Sequence, residues 1–94
     1  MKTFTVIDCN KPLLFATDCV ACVLDQKKNE QLEVYTASGQ RFSVGPQMLY
    51  DLRLRLYNRI LEAAKIGGTV IIPDFNGMNE DLICQTLEEL TIEP

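Results

Sequence analysis

Residues 48–65 read MLYDLRLRLYNRILEAAK, and the fold turns on whether they make a strand or a helix. Their middle, Leu52-Arg53-Leu54-Arg55-Leu56, alternates apolar and polar side chains as a half-exposed strand does. Length, flanks and spacing all oppose that reading. The stretch is too long for an ordinary strand. Gly45-Pro46 precedes it and Gly67-Gly68 follows it, and Pro suits the first turn of a helix as Gly suits its C-terminal cap. Leu49, Leu52, Leu56, Ile60 and Ala63 recur at spacings of three and four, and so do Tyr50, Leu54, Tyr57, Leu61 and Ala64.

At about 100° per residue these sets form two stripes, their centres roughly 120° apart, within an apolar arc of roughly 200°. A helix packing on one sheet needs about half that arc. One stripe is therefore expected on a sheet, and the other against the last helix or a second copy of the chain. Asp51, Arg55, Asn58, Glu62 and Lys65 gather on the opposite side, with Arg59 at the border. Arg53 falls in the gap between the stripes, and a charge there needs a partner. It can snorkel to water, pair with a carboxylate, or meet an anionic ligand such as a phosphate at the helix seam.

Outward from this helix, the first half of the chain reads as strands. Thr3–Asp8, Leu13–Thr17, Val20–Asp25, Gln31–Ala37 and Gln40–Val44 are apolar or alternating runs. Asn10-Lys11-Pro12, 25–30 and Ser38-Gly39 supply the turns. After the helix, Thr69–Pro73 is a short extended segment that Pro73 would place at a sheet edge. Asp74–Gly77 is a turn, and Asn79 caps a final helix whose first turn carries Glu80 and Asp81. The expected architecture is α+β in a single domain over 1–94: a four- to five-stranded antiparallel meander over 3–44, a long helix over 46–66, a short strand over 69–73 and a C-terminal helix over 79–90.

Composition narrows the function. The net charge is −4 and the pI about 4.6, which opposes binding to duplex DNA or RNA or to an anionic membrane. There is no histidine, so Ser-His-Asp and Cys-His catalysis and most zinc chemistry are excluded. No apolar run approaches the roughly 20 residues that span a bilayer, and the N-terminus lacks a signal-peptide core, so a cytoplasmic protein is expected. Cys19-Val20-Ala21-Cys22 is a CxxC, which can signal redox or metal chemistry. It begins an apolar strand rather than a helix, so buried small hydrophobes are the favoured reading. IGGTVIIPD is not a phosphate loop, because its glycines precede a strand. Tyr50 and Tyr57 lie on the apolar arc and read as packing residues.

The chain is therefore expected to be a small non-enzymatic binding or regulatory protein without cofactor or metal. It would be homo-oligomeric through Leu49, Leu52, Leu56 and Ile60. It would act by occupying a protein partner, as inhibitors and accessory proteins of viruses and mobile elements do. The alternative is a small-ligand binder that sequesters or senses an anionic, nucleotide-like signal, held by Arg53, Arg59 and Tyr57 and by a rim of Phe75 and Asn76. A carboxylate- or cysteine-dependent enzyme is a third option with no motif behind it.

Overall fold

A computed structural model of the chain describes residues 3–11, 15–24, 32–46 and 48–94. The strands β1 (Phe4–Asp8), β2 (Phe15–Cys19), β3 (Ala21–Leu24), β4 (Leu32–Tyr35) and β5 (Arg41–Val44) come first. Helix α1 (Tyr50–Ile66), strand β6 (Thr69–Ile72), helix α2 (Glu80–Glu88) and strand β7 (Ile92–Glu93) follow. The fold is α+β, with strands before a long helix, then a strand and a C-terminal helix. The loop expected over 25–30, and the expected element ends at 12–14 and 31, lie outside the described residues.

The five early strands are present, but they divide between two sheets. One sheet has the order β2-β1-β6-β7, and the other is the meander β3-β4-β5. β1 pairs antiparallel with β2, Phe4 opposite Cys19, and parallel with β6, Val6 opposite Val70. The chain leaves the first sheet at Val20, the single residue between β2 and β3, whose N–H donates to the Tyr35 carbonyl at 2.8 Å.

The division follows from β6. Its TVII sequence buries Val70 and Ile72 completely, and an interior position shields such a strand better than an edge does. β6 therefore sits between β1 and β7 rather than at the edge that Pro73 suggested. Pro73 lies one residue past its end, where the missing N–H costs no ladder bond.

Helix α1 begins at Tyr50, four residues later than Pro46 suggested. Its cap residue Leu49 is extended (φ −60°, ψ 152°) and makes no side-chain cap. Asp51 in the first turn and Lys65 in the last complement the helix dipole. At the C-terminus Gly67 is left-handed (φ 65°). It donates to the Ala64 carbonyl at 3.3 Å while Gly68 donates to that of Ala63 at 2.9 Å, a Schellman closure.

The helix lies against both sheets, touching β1, β6 and β7 in one and β3 in the other, and also packs on α2. This accounts for its wide apolar arc without a second copy. Leu52, Leu56 and Ile60 are not available as the intermolecular surface expected of them. They are core residues, 5%, 0% and 0% exposed, while Leu49 at 58% faces outward. Each buried Leu or Ile contributes roughly 1.5–3 kcal/mol. The second stripe is half-buried, with Tyr57 and Ala64 packed at the margin of the core.

Helix α2 starts as expected: Asn79 Oδ1 accepts from the Leu82 N–H at 2.8 Å. It ends at Glu88 because the chain turns Leu90 into the core and then adds β7 to the free side of β6. Strand β7 has no signature in the sequence. Its two residues are too few to show a period.

Gly68 makes β7 possible. A Cβ there would stand 2.3 Å from the Glu93 carbonyl oxygen, a backbone atom that cannot rotate away. Gly68→Ala is expected to cost about 2 kcal/mol or more, read as a lowered urea midpoint; an unchanged midpoint would refute the close approach.

Candidate ligand cavity

Because β1 and β6 run parallel, both end at the same edge of their sheet, and the segments that follow them meet there. Residues 9–11 leave β1 and residues 73–78 leave β6, while Gly45 and Pro46 arrive from the end of β5. They enclose an open cavity of about 650 Å³, within the usual range for small-molecule sites.

Three of the lining residues, Asn10, Gly45 and Phe75, belong to a hydrogen-bond network centred on Asp8, which is 0% exposed at the end of β1 and forms the base of the site. Asp8 Oδ1 accepts from the Asn10 backbone N–H at 3.0 Å and from Asn10 Nδ2 at 2.9 Å. Its Oδ2 accepts from the Gly45 N–H at 2.8 Å. Asn10 Nδ2 also donates to the Pro73 carbonyl at 2.8 Å, and Asn10 Oδ1 accepts from the Phe75 N–H at 3.0 Å. Two side chains thus tie the ends of β1, β5 and β6 together. Gly45 fits because it is left-handed (φ 76°), and a Cβ there would press on Leu56 Cδ2 at 3.0 Å. Such charge-assisted bonds inside the protein are worth more than surface ones.

The walls mix chemistry. Met48, Met78 and Ile83 are apolar, while Lys11, Asp74 and Asn76 are polar. The rim turn is fixed by the Asn76 N–H, which donates to Asp74 Oδ1 at 2.9 Å. Phe75 points into the core, 4% exposed.

The residues expected to bind a ligand are split. Phe75 and Asn76 line the cavity. Arg53 is 3% exposed. Its Nε donates to the Met48 carbonyl at 3.1 Å, and its guanidinium carbon lies 5.4 Å from the Tyr50 ring centroid. It therefore holds the backbone of a cavity residue from behind. Arg59 is elsewhere: it pairs with Glu62 and donates from Nη2 to the Leu90 carbonyl at 2.9 Å, fastening the exit of α2 to α1. Tyr57 packs beside the core. The cavity is thus at the strand ends rather than at a helix–helix seam.

By sequence, Asp8 ends a strand and Asn10 and Lys11 belong to a turn. Nothing in the run DCNK distinguishes a buried hub from a solvated turn, since the partners are 37, 63 and 65 residues away.

The CxxC thiols take no part in the cavity. Burial, reinforced by the Asp18 carboxylate, pushes the Cys19 thiol up to about 11, and burial, then the neighbouring Cys19, pushes Cys22 up to about 12. Both remain protonated at neutral pH, which disfavours thiol–disulfide exchange. Cys9 is the exposed thiol, and it lines the cavity. Among the described residues no group of three or more His, Cys, Asp or Glu side chains is placed to hold a metal ion. No helix among them is long and apolar enough to cross a membrane.

No protein family matches this chain, and no curated protein and no solved structure matches it either.

Two expectations follow. Asp8 faces three donors, so Asp8→Ala leaves them unsatisfied, at a cost of about 3 kcal/mol in urea denaturation. Asp8→Asn should recover little of this, because its amide NH2 would oppose a donor; full recovery by Asn would show that the carboxylate is not needed. Second, unfolded thiols ionise near 9.0 while folded Cys19 and Cys22 stay neutral up to about 11 and 12. The unfolded state thus loses protons first, and stability falls as pH rises from 9 through that window. Cys22→Ala should show a shallower loss across pH 9–11 than the parent chain; parallel curves would refute it.

Proposed function

We propose that this chain is a non-enzymatic binding protein that holds a small molecule in the cavity at the ends of β1, β5 and β6. The carrying observation is the Asp8–Asn10 network, which fixes the cavity floor with five hydrogen bonds. A floor fixed before a ligand arrives lowers the ordering cost of binding. The walls are adaptable by contrast, since two methionines line them.

The same network argues against catalysis. Asp8 is the fully buried carboxylate among the described residues, and both of its oxygens are taken by donors. It is 0% exposed and does not line the cavity, so a molecule bound there does not reach it. The sequence offers no histidine in its place. The reading as a protein that occupies a partner through an apolar helix face has lost its support, because Leu52, Leu56 and Ile60 lie in the chain's own core. The phosphate-binding form of the ligand reading is weakened too, since Arg59 stands at the α1–α2 contact and Arg53 turns to Met48.

Screening by thermal shift tests the proposal, with Asn76→Trp as the blocked cavity. A compound at ten times its Kd stabilises by about 1.4 kcal/mol, several degrees for a chain of this size. Such shifts are expected for the parent chain and not for Asn76→Trp. Hits that shift both chains equally would place binding elsewhere and overturn the assignment.

A further inference from the structure

We propose that the cavity selects a zwitterion with an apolar side chain, namely an α-amino acid or short peptide; the assignment rests on reading the cavity as a ligand site. Among the described residues its polar lining carries one cation and one anion. Lys11 and Asp74 both face the cavity, and among the described residues neither makes an ion pair. The other charged group of the floor, Asp8, is sealed beneath Asn10 and Gly45, and the Asn10 side chain is already engaged at both ends. Charge recognition is therefore left to Lys11 and Asp74.

That pairing discriminates by sign. A phosphorylated ligand would bring several negative charges against one lysine and would also face the Asp74 carboxylate, a like-charge contact that disfavours it. An amine without an acid would leave Lys11 facing a cation. A zwitterion places its carboxylate on Lys11 and its ammonium on Asp74, and both contacts are charge-assisted. Asp74 is pre-set for this role, because Oδ1 accepts the Asn76 N–H at 2.9 Å and so orients the group. The remaining wall is made by Met48, Met78 and Ile83, which suits an aliphatic or thioether side chain. The two methionines can repack around side chains of different shape.

Titration calorimetry with four probes tests this: L-leucine, the dipeptide Leu-Leu, 4-methylpentanoate (leucine without its amine) and 3-methylbutylamine (leucine without its acid). Leucine or the dipeptide is expected to bind about tenfold or more tightly than either singly charged probe, as loss of one charge-assisted contact implies. The tighter of the two identifies free amino acid or peptide as the source. Lys11→Gln should abolish the advantage over 3-methylbutylamine, and Asp74→Asn the advantage over 4-methylpentanoate. Singly charged probes that bind as well as leucine would overturn the zwitterion assignment. So would silence from all four probes while other compounds still bind the parent chain and not Asn76→Trp; the cavity reading would then stand. If nothing distinguishes Asn76→Trp from the parent chain, both assignments fall together.

Discussion

The Asp8 carboxylate is the constraint on which the two-sheet arrangement depends. It sits where β1 ends, fully buried, and receives donors from the next turn and from the end of β5. β1 belongs to one sheet and β5 to the other, so the contact between Asp8 and Gly45 joins sheets that share no ladder. A buried carboxylate is costly unless its acceptor sites are filled. Here the filling comes from two backbone N–H groups and the Asn10 side-chain amide, at the point where both strands stop. The cost of burying Asp8 is offset only in this geometry, which makes the group a determinant of register as well as of stability.

Helix α1 supplies the apolar counterpart of that polar link. It touches strands of both sheets and also α2, so its stripes are consumed inside one chain. Arg53 sits at the transition. Its position between the stripes lies in the first turn of α1, where its Nε meets the Met48 carbonyl. The charge is accommodated by main-chain oxygen and the Tyr50 ring. Asp8 thus holds the N–H of Gly45 and Arg53 the carbonyl of Met48.

What was legible in the sequence was local. The helical period of 48–65, the Gly-Gly stop and the Asn79 cap depend on neighbours three to five residues away, and each appears in the structure. The hairpin turning at Ser38-Gly39 is likewise local, with Val34 opposite Phe42. The assignment of strands to sheets was not legible. The parallel pairing of β1 with β6 joins residues such as Val6 and Val70, and no turn signal encodes a contact at that separation. β7 was too short to read, and the start of α1 was displaced because Pro46 suits an extended connection as well as a first turn.

The candidate site divides along the same line. Phe75 and Asn76 stood out as a polar turn before a helix, and the turn does form the cavity rim. Arg59 stood out by charge, but a charge at a helix border is equally suited to bind a carbonyl at a neighbouring helix end, and the Leu90 oxygen provides one. Lys11 and Asp74 carried no such signal, being ordinary turn residues in two separate runs. They line one cavity because parallel strands finish at one edge, so the segments past β1 and past β6 are brought together whatever their distance in sequence. A parallel pair in a small α+β chain therefore does more than bury apolar surface. It gathers two turns into one place, and the hydrogen bonds of Asn10 to Pro73 and Phe75 fix how those turns sit where they line the cavity.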